Sequence, residues 1–144
     1  MGQYFEFIGN HPFLFAALVA ILTMLVMNEF KRKLLGYKDV SPNDAVRLIN
    51  QEDAIVLDVR EDSEYREGHV INSIHIPLGL LDGRVDELGE DRDKALMVYC
   101  RSGTRAAKAA SLLQKQGFKS VYKMNGGMMA WIDAGLPASR GKKK

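Results

Sequence analysis

The sequence feature that most constrains the fold of this chain is a long apolar run near its N-terminus. Within Phe13–Met27 the only polar side chain is that of Thr23. As a helix this run would be roughly 22 Å long, which is short of a bilayer core of roughly 30 Å, whereas residues 8–30 would reach about 34 Å. We therefore predict one transmembrane helix at about residues 8–30, beside aromatic residues that suit a membrane interface.

The charges on either side of this run predict its orientation. Glu6 is the only charged side chain before the run, and the basic residues that follow it are Lys31, Arg32, Lys33 and Lys38. By the positive-inside rule, the N-terminus faces outward and the rest of the chain lies in the cytoplasm. A cleavable signal peptide has the reverse order, with positive charge before the apolar run. A buried core helix is the remaining alternative.

The 144 residues leave room for one ordinary domain. We divide the chain into an N-terminal segment (1–30), a basic juxtamembrane linker (31–39), a domain (40–138) and a basic tail (139–144). The formal net charge of +2, with no concentrated basic face, gives no indication of nucleic-acid binding. For the tail, contact with anionic lipid and simple solubilisation are both open interpretations.

Within the predicted domain, apolar runs alternate with helical patterns. Ser41 and Pro42 open the first predicted helix, with serine as the N-cap and proline at the first helical position. Uninterrupted apolar runs at 54–57 and 95–99 are typical of parallel strands that are covered on both faces. Weaker strands are predicted at 74–76 and 121–122, and further helices at 78–88, 104–116 and 128–133. The pattern predicts an α/β fold with a parallel sheet flanked by helices.

The chain has a single cysteine, Cys100, which excludes an intrachain disulfide and a multi-cysteine zinc site and suits a reducing compartment. It stands at the end of a predicted buried strand and opens a short polar loop before a helix, where open α/β sheets place their sites. The loop glycine, the helix N-terminus and the charges of Arg101 and Arg105 favour a thiolate and would hold an anionic substrate. We expect Cys100 to be nucleophilic; a buried structural cysteine is the alternative.

Successive segments of the domain form a longer pattern. They are Asp58-Val59-Arg60, Glu64-Tyr65, Gly68-His69-Val70, Ile74-His75-Ile76-Pro77, Tyr99-Cys100-Arg101-Ser102-Gly103-Thr104-Arg105, and Gly126-Gly127 through Trp131 to Gly135-Leu136-Pro137. In this order the segments resemble the signature segments of the rhodanese family of sulfurtransferases, over most of the chain between Val40 and Pro137. The chain departs from the family at Asn72-Ser73, where Gly-Ala is usual, and at Ala106, where serine is frequent.

The resemblance implies a rhodanese-like domain that transfers sulfur. Cys100 would accept a sulfane sulfur from a small anionic donor such as thiosulfate, become a persulfide, and pass the sulfur to cyanide, a thiol or a protein acceptor. The active-site loop would consist of Cys100, Arg101, Ser102, Gly103, Thr104 and Arg105. Arg105 would bind the anionic end of the donor. This chemistry requires no metal or organic cofactor.

Four polar residues outside the loop have two interpretations each. Asp58 and Arg60 would act as a general acid and a second anion clamp, or would make the structural charge-assisted hydrogen bonds that we favour. His69 or His75 would act as the base of a Cys–His pair and take the proton of Cys100, but an ionised thiolate needs no proton acceptor. For Trp131 we favour core packing over a substrate platform.

Two other functions stay open at the level of sequence. A membrane-tethered persulfide carrier or docking module would use the same loop with a partner protein. A cysteine-dependent phosphatase is less favoured, because its motif has one residue more between cysteine and arginine than the four that separate Cys100 from Arg105. The shorter ring suits a transferable sulfur atom better than a phosphoryl group.

Overall fold

A computed structural model describes residues 1–141, apart from the side chains of residues 8, 32 and 33. The chain divides into two compact units, Met1–Leu35 and the residues from Gly36 onward. The predicted tail residues 142–144 lie outside the described residues, and with them the question of lipid contact by their lysines.

The N-terminal unit consists of two helices where the sequence predicted one over residues 8–30. Helix α1 is Gly2–Asn10 and helix α2 is Pro12–Leu35. The helix is interrupted at His11, whose backbone is not helical (φ −133°, ψ 58°). Pro12 then starts α2, and at this first helical position its missing N–H costs no hydrogen bond.

Part of α2 is long and apolar enough to cross a membrane. This part is Pro12–Lys31, whose 20 residues would span about 30 Å as a helix. None of its apolar window is buried in the structure, so it is not a core helix of the described chain.

The second unit is built on a five-stranded sheet in which every pairing is parallel, which confirms the predicted α/β class. Its strands are β1 Lys38–Val40, β2 Ile55–Asp58, β4 Ile74–His75, β5 Leu96–Tyr99 and β6 Val121–Met124, in the order β1-β6-β5-β2-β4. A small antiparallel pair joins β3 His69–Val70 to β7 Ala138–Ser139. The helices are α3 Pro42–Glu52, α4 Asp62–Glu67, α5 Leu81–Arg84, α6 Thr104–Lys115 and α7 Gly127–Asp133.

The side chains of the central strand β5 divide between two hydrophobic clusters. Leu96 and Val98 lie in the cluster that includes α6, whereas Met97 and Tyr99 lie in the cluster that includes α3 and α7. All four are fully buried. Because side chains alternate along a strand, the next residue, Cys100, lies in the α6 cluster.

Three parts of the domain differ from the sequence predictions. Lys38 and Asp39, assigned to the linker, form part of β1, an edge strand whose exposed side chains leave no apolar alternation to detect. Ser139, assigned to the tail, pairs with β3, and the Gly141 N–H donates to the Arg66 carbonyl at 3.1 Å. The predicted helix at 78–88 is α5 between two 3₁₀ turns, Leu78–Leu80 and Val85–Leu88.

The predicted start of α3 is confirmed at the level of hydrogen bonds. Ser41 is the N-cap, and its Oγ accepts from the Asp44 N–H at 3.1 Å, with Pro42 at the first helical position. Substituting such a cap by alanine typically costs about 1 kcal/mol. This local signal fixes the start of α3 directly after the edge strand β1.

Candidate active site

The Cys100 thiol lies under the N-terminus of α6. Its Sγ accepts hydrogen bonds from the Gly103 N–H at 3.0 Å and the Ala106 N–H at 3.4 Å. Gly103 is the N-cap of α6, with φ +122°, a conformation that side-chain-bearing residues rarely adopt. The free N–H groups and the dipole of a helix N-terminus favour negative charge, and two of these N–H groups are bonded to Sγ. Cys100 itself is 1% exposed.

Backbone contacts from α7 fix the start of the loop. The Met128 N–H donates to the Cys100 carbonyl at 2.8 Å, and the Met129 N–H donates to the Arg101 carbonyl at 3.2 Å. In a trans peptide the N–H points opposite to the carbonyl, and no cis peptide is present. The N–H groups of Arg101 and Ser102 therefore point away from α7.

This close approach of α7 depends on Gly127. A Cβ built on Gly127 would lie 2.2 Å from the Cys100 carbonyl oxygen and 2.6 Å from the Arg101 carbonyl oxygen. Gly127 also has φ +56°, in the left-handed region that favours glycine. Gly127 thus sets how closely α7 approaches the loop that begins at Cys100.

Arg105, the last residue of the loop, is bound to a carboxylate. Its Nη1 and Nη2 donate to the two carboxylate oxygens of Glu64 at 2.7 and 2.8 Å. Glu64 Oε2 also accepts from the Glu61 N–H at 3.0 Å. The bonds from Arg105, followed by that from Glu61, lower the pKa of Glu64 to about 2 against partial burial, and the same ion pair raises the pKa of Arg105 above its ordinary value. The pair therefore stays ionised at neutral pH.

The other predicted loop residues face solvent to different degrees. Arg101, Ser102 and Thr104 are exposed, and Gly103 is half-buried. The Arg101 side chain forms no ion pair or hydrogen bond with the described residues. Its charge is free to meet an incoming anion.

Asp58 and Arg60 form a buried ion pair beneath the site. Arg60 Nη2 donates to Asp58 Oδ2 at 2.6 Å and to the Gly68 carbonyl at 2.7 Å. The Tyr99 hydroxyl also donates to Asp58 Oδ2, at 2.7 Å, and accepts from the Val70 N–H at 3.0 Å. Burial and the nearby Asp58 charge raise the pKa of Tyr99. This geometry fits the structural interpretation, because the pair holds the β3 segment to the ends of β2 and β5.

The two histidines are bonded to the backbone instead of to the thiol. His69 Nδ1 lies 2.8 Å from the Tyr65 carbonyl, and His75 Nε2 lies 2.7 Å from the Arg60 carbonyl. Both rings stack on Tyr65, with centroid distances of 3.7 and 4.4 Å. The partners of Cys100 Sγ within residues 1–141 are the two amides, so the geometry gives no support to a Cys–His pair.

A cleft of about 290 Å³ adjoins the loop. Its lining residues are Arg60, Glu64, Glu67, Gly68, Arg101, Met128, Met129 and Ile132.

Glu64 is a site residue that the sequence did not reveal, although it stood in a family segment, because its partner Arg105 is 41 residues away. Met129 is exposed on the cleft, whereas Met128 and Trp131 are buried in the core.

Comparisons with known proteins show what this chain is similar to. The family model described as "Rhodanese-like domain" matches residues 41–134. A relative named "Uncharacterized protein YibN", from Escherichia coli, is 35% identical over 143 residues, which is 99% of this chain and 100% of that protein. "Thiosulfate sulfurtransferase GlpE" from Coxiella burnetii is 34% identical over 95 residues, 66% of this chain and 87% of that protein. The crystal structure of a rhodanese-related protein from Thermoplasma volcanium aligns with TM-score 0.64 at 33% identity, covering 72% of this chain and 98% of that one.

The first prediction concerns Gly127. In Gly127→Ala, the Cβ would displace the Cys100 and Arg101 carbonyls, so we expect a loss of about 2–3 kcal/mol of unfolding free energy and a several-fold slower alkylation of Cys100 by iodoacetamide. Gly135→Ala is the matched control, because Gly135 has φ +72° but nothing within 4 Å of its Cβ position. Alkylation rates slowed equally in both variants would contradict a specific role for the Gly127 contact.

The second prediction concerns the acid side of the stability curve. Because Glu64 has a pKa of about 2 in the folded state against an ordinary 4.5, its ion pair adds stability above pH 4.5 that disappears as the pH falls toward 2. Glu64→Gln should lower the unfolding free energy at pH 7 by about 2 kcal/mol, with the difference from the natural chain shrinking below pH 4.5. Glu67→Gln, on the same helix, is the control. A pH-independent difference, measured by denaturant titrations, would contradict the assignment.

Proposed function

The chain belongs to the rhodanese-like family, and on that premise we propose that it is a sulfurtransferase that works through a persulfide on Cys100. The observation that carries the proposal is the position of Cys100 Sγ, which accepts two amide hydrogen bonds at the N-terminus of α6. A helix N-terminus stabilises the thiolate, which is the nucleophilic form of cysteine. The sulfurtransferase relatives support the activity in general terms.

The proposed reaction has two steps. The Cys100 thiolate attacks the outer sulfur of thiosulfate, forming the Sγ–S bond while the S–S bond breaks and sulfite leaves with the electron pair. Cyanide or a thiolate then attacks the outer sulfur of the persulfide, which yields thiocyanate or a new persulfide and restores the Cys100 thiolate. No redox partner or added proton is needed for either balanced step.

The loop supplies what this reaction requires of its surroundings. A thiolate and an anionic donor repel each other, and inward N–H groups together with guanidinium groups offset that repulsion. In our proposal Arg101 through Arg105 form this binding surface, with Arg105 facing the anionic end of the donor. Two of the five guanidinium N–H groups of Arg105 are bonded to Glu64, which leaves three for a ligand. Asp58 and Arg60 support the site from below by their ion pair.

A persulfide carrier that delivers its sulfur to a partner protein is the alternative function. It would load Cys100 in the same way but would release sulfur to cyanide only slowly. A phosphatase has less support, because the ring from Cys100 to Arg105 is one residue short of that class.

We further propose that α2 anchors the domain to a membrane. The support is the length and apolarity of Pro12–Lys31 and the basic residues that follow it. By the positive-inside rule the N-terminus would be outside and the domain in the cytoplasm. The similarity to the Escherichia coli relative spans 143 residues and so includes this segment.

The third prediction tests the nucleophile. Purified protein should form thiocyanate from thiosulfate and cyanide, and Cys100→Ser should lower the rate by on the order of 10³-fold or more. Natural protein alkylated at its single cysteine should be equally inactive, and the thermal unfolding of Cys100→Ser should be nearly unchanged. Similar turnover by the serine variant would refute the mechanism. Single loading without turnover would favour the carrier, and cysteine-dependent release of phosphate from p-nitrophenyl phosphate would favour the phosphatase.

The fourth prediction tests the orientation. An epitope tag placed after Lys144 should be removed by protease in inverted membrane vesicles and protected in intact spheroplasts. A tag placed before Met1 is the matched control and should show the opposite pattern. Recovery of the tagged chain in the soluble fraction would overturn the membrane proposal.

A further inference from the structure

The charged residues around the cleft largely cancel each other. Arg60 is paired with the buried Asp58, and Arg105 is paired with Glu64. Of the charged residues that line the cleft, Arg101 and Glu67 make no ion pair with other described residues, and they have opposite signs. The cleft beside the loop therefore has no excess of positive charge, which is unexpected for a site that receives a dianion.

Glu64 is the residue that offsets the positive charge of Arg105. Its carboxylate accepts one hydrogen bond from each terminal nitrogen of Arg105 and a third from the Glu61 N–H. Glu64 also lines the cleft, and its side chain is 24% exposed, so a donor in the cleft meets the carboxylate that is bound to Arg105. An unpaired arginine would attract a dianion about twice as strongly as a monoanion, whereas a neutral ion pair largely loses that preference.

We propose that Glu64 sets the donor selectivity of this site, disfavouring dianionic thiosulfate relative to sulfane donors with a single negative charge, such as persulfides and thiosulfonates. Glu64 does so as a positioning residue, by holding Arg105 and offsetting its charge. This inference rests on the proposed sulfur transfer through Cys100 and narrows its substrate class.

Two donors that differ by one charge provide the test. Methanethiosulfonate is thiosulfate with one anionic oxygen replaced by a methyl group. In both, the Cys100 thiolate attacks the outer sulfur and the S–S bond breaks; sulfite leaves from thiosulfate and methanesulfinate from methanethiosulfonate. The readout is the ratio of kcat/KM for methanethiosulfonate to kcat/KM for thiosulfate, with cyanide as acceptor and full-length protein in detergent. Intrinsic donor reactivity cancels when this ratio is compared between variants.

Glu64→Gln should lower this ratio by about tenfold, through a gain with thiosulfate, because the Arg105 charge is no longer offset. Glu67→Gln is the matched control: it removes a carboxylate from the lining of the same cleft but leaves the Arg105 pair intact. We expect it to change the ratio by less than about threefold, since exposed charges are screened. A ratio unchanged in Glu64→Gln, or changed equally in both variants, would overturn the inference.

A measurement on the natural protein keeps the inference falsifiable if Glu64→Gln folds poorly. Sulfate and methanesulfonate are tetrahedral anions of two and one negative charges, and both should compete with the donor. We expect methanesulfonate to inhibit at least as well as sulfate. Inhibition by sulfate that is tenfold stronger would show a preference for dianions and overturn the inference.

The two levels of the proposal fail in different ways. If neither donor adds a sulfur atom to Cys100 by intact mass, the proposed function fails and the inference fails with it. If both donors load Cys100 but the ratio does not respond to Glu64→Gln, the sulfur transfer stands and only the role of Glu64 is lost.

Discussion

Alternation of side chains along the buried strand β5 is the constraint on which the site depends. It directs Leu96 and Val98 toward α6 and Met97 and Tyr99 toward α3 and α7, with all four fully buried. The same period places Cys100 beneath the first turn of α6, where two amides meet its Sγ. A shift of one residue in this strand would exchange the faces and move the thiol away from the helix N-terminus.

Two arginine–carboxylate pairs lie near the thiol, and their surroundings give them different roles. Asp58 and Arg60 are 0% and 5% exposed and share their bonds with Tyr99 and the Gly68 carbonyl, so this pair joins segments of the core. Removing one partner of such a buried pair typically costs about 3–5 kcal/mol. Glu64 and Arg105 are both partly exposed, and Glu64 lines the cleft, where the charge of its carboxylate acts on whatever enters it.

The departures from the family pattern have simple structural explanations. Asn72 has φ +63°, a left-handed conformation that asparagine tolerates better than most residues, so the usual glycine is not needed there. Ser73 is buried, with its Oγ 3.5 Å from the Tyr99 hydroxyl, where it adds a polar contact to the buried network. Ala106 contributes its backbone N–H to Sγ, a function that does not depend on a serine side chain.

The sequence by itself determined the features whose signals are local. The apolar run of α2, the Ser41 cap, the order of strands and helices, and the position of Cys100 at a strand end all depend on neighbouring residues, and each could be predicted. Only the tertiary structure decided the partner of Arg105, the contact of Gly127 with the loop, the pairing of β1 with β6, and the pairing of β7 with β3. These features arise from groups that are far apart in sequence and meet through space, and many of them involve backbone atoms, which every residue carries and no sequence pattern marks.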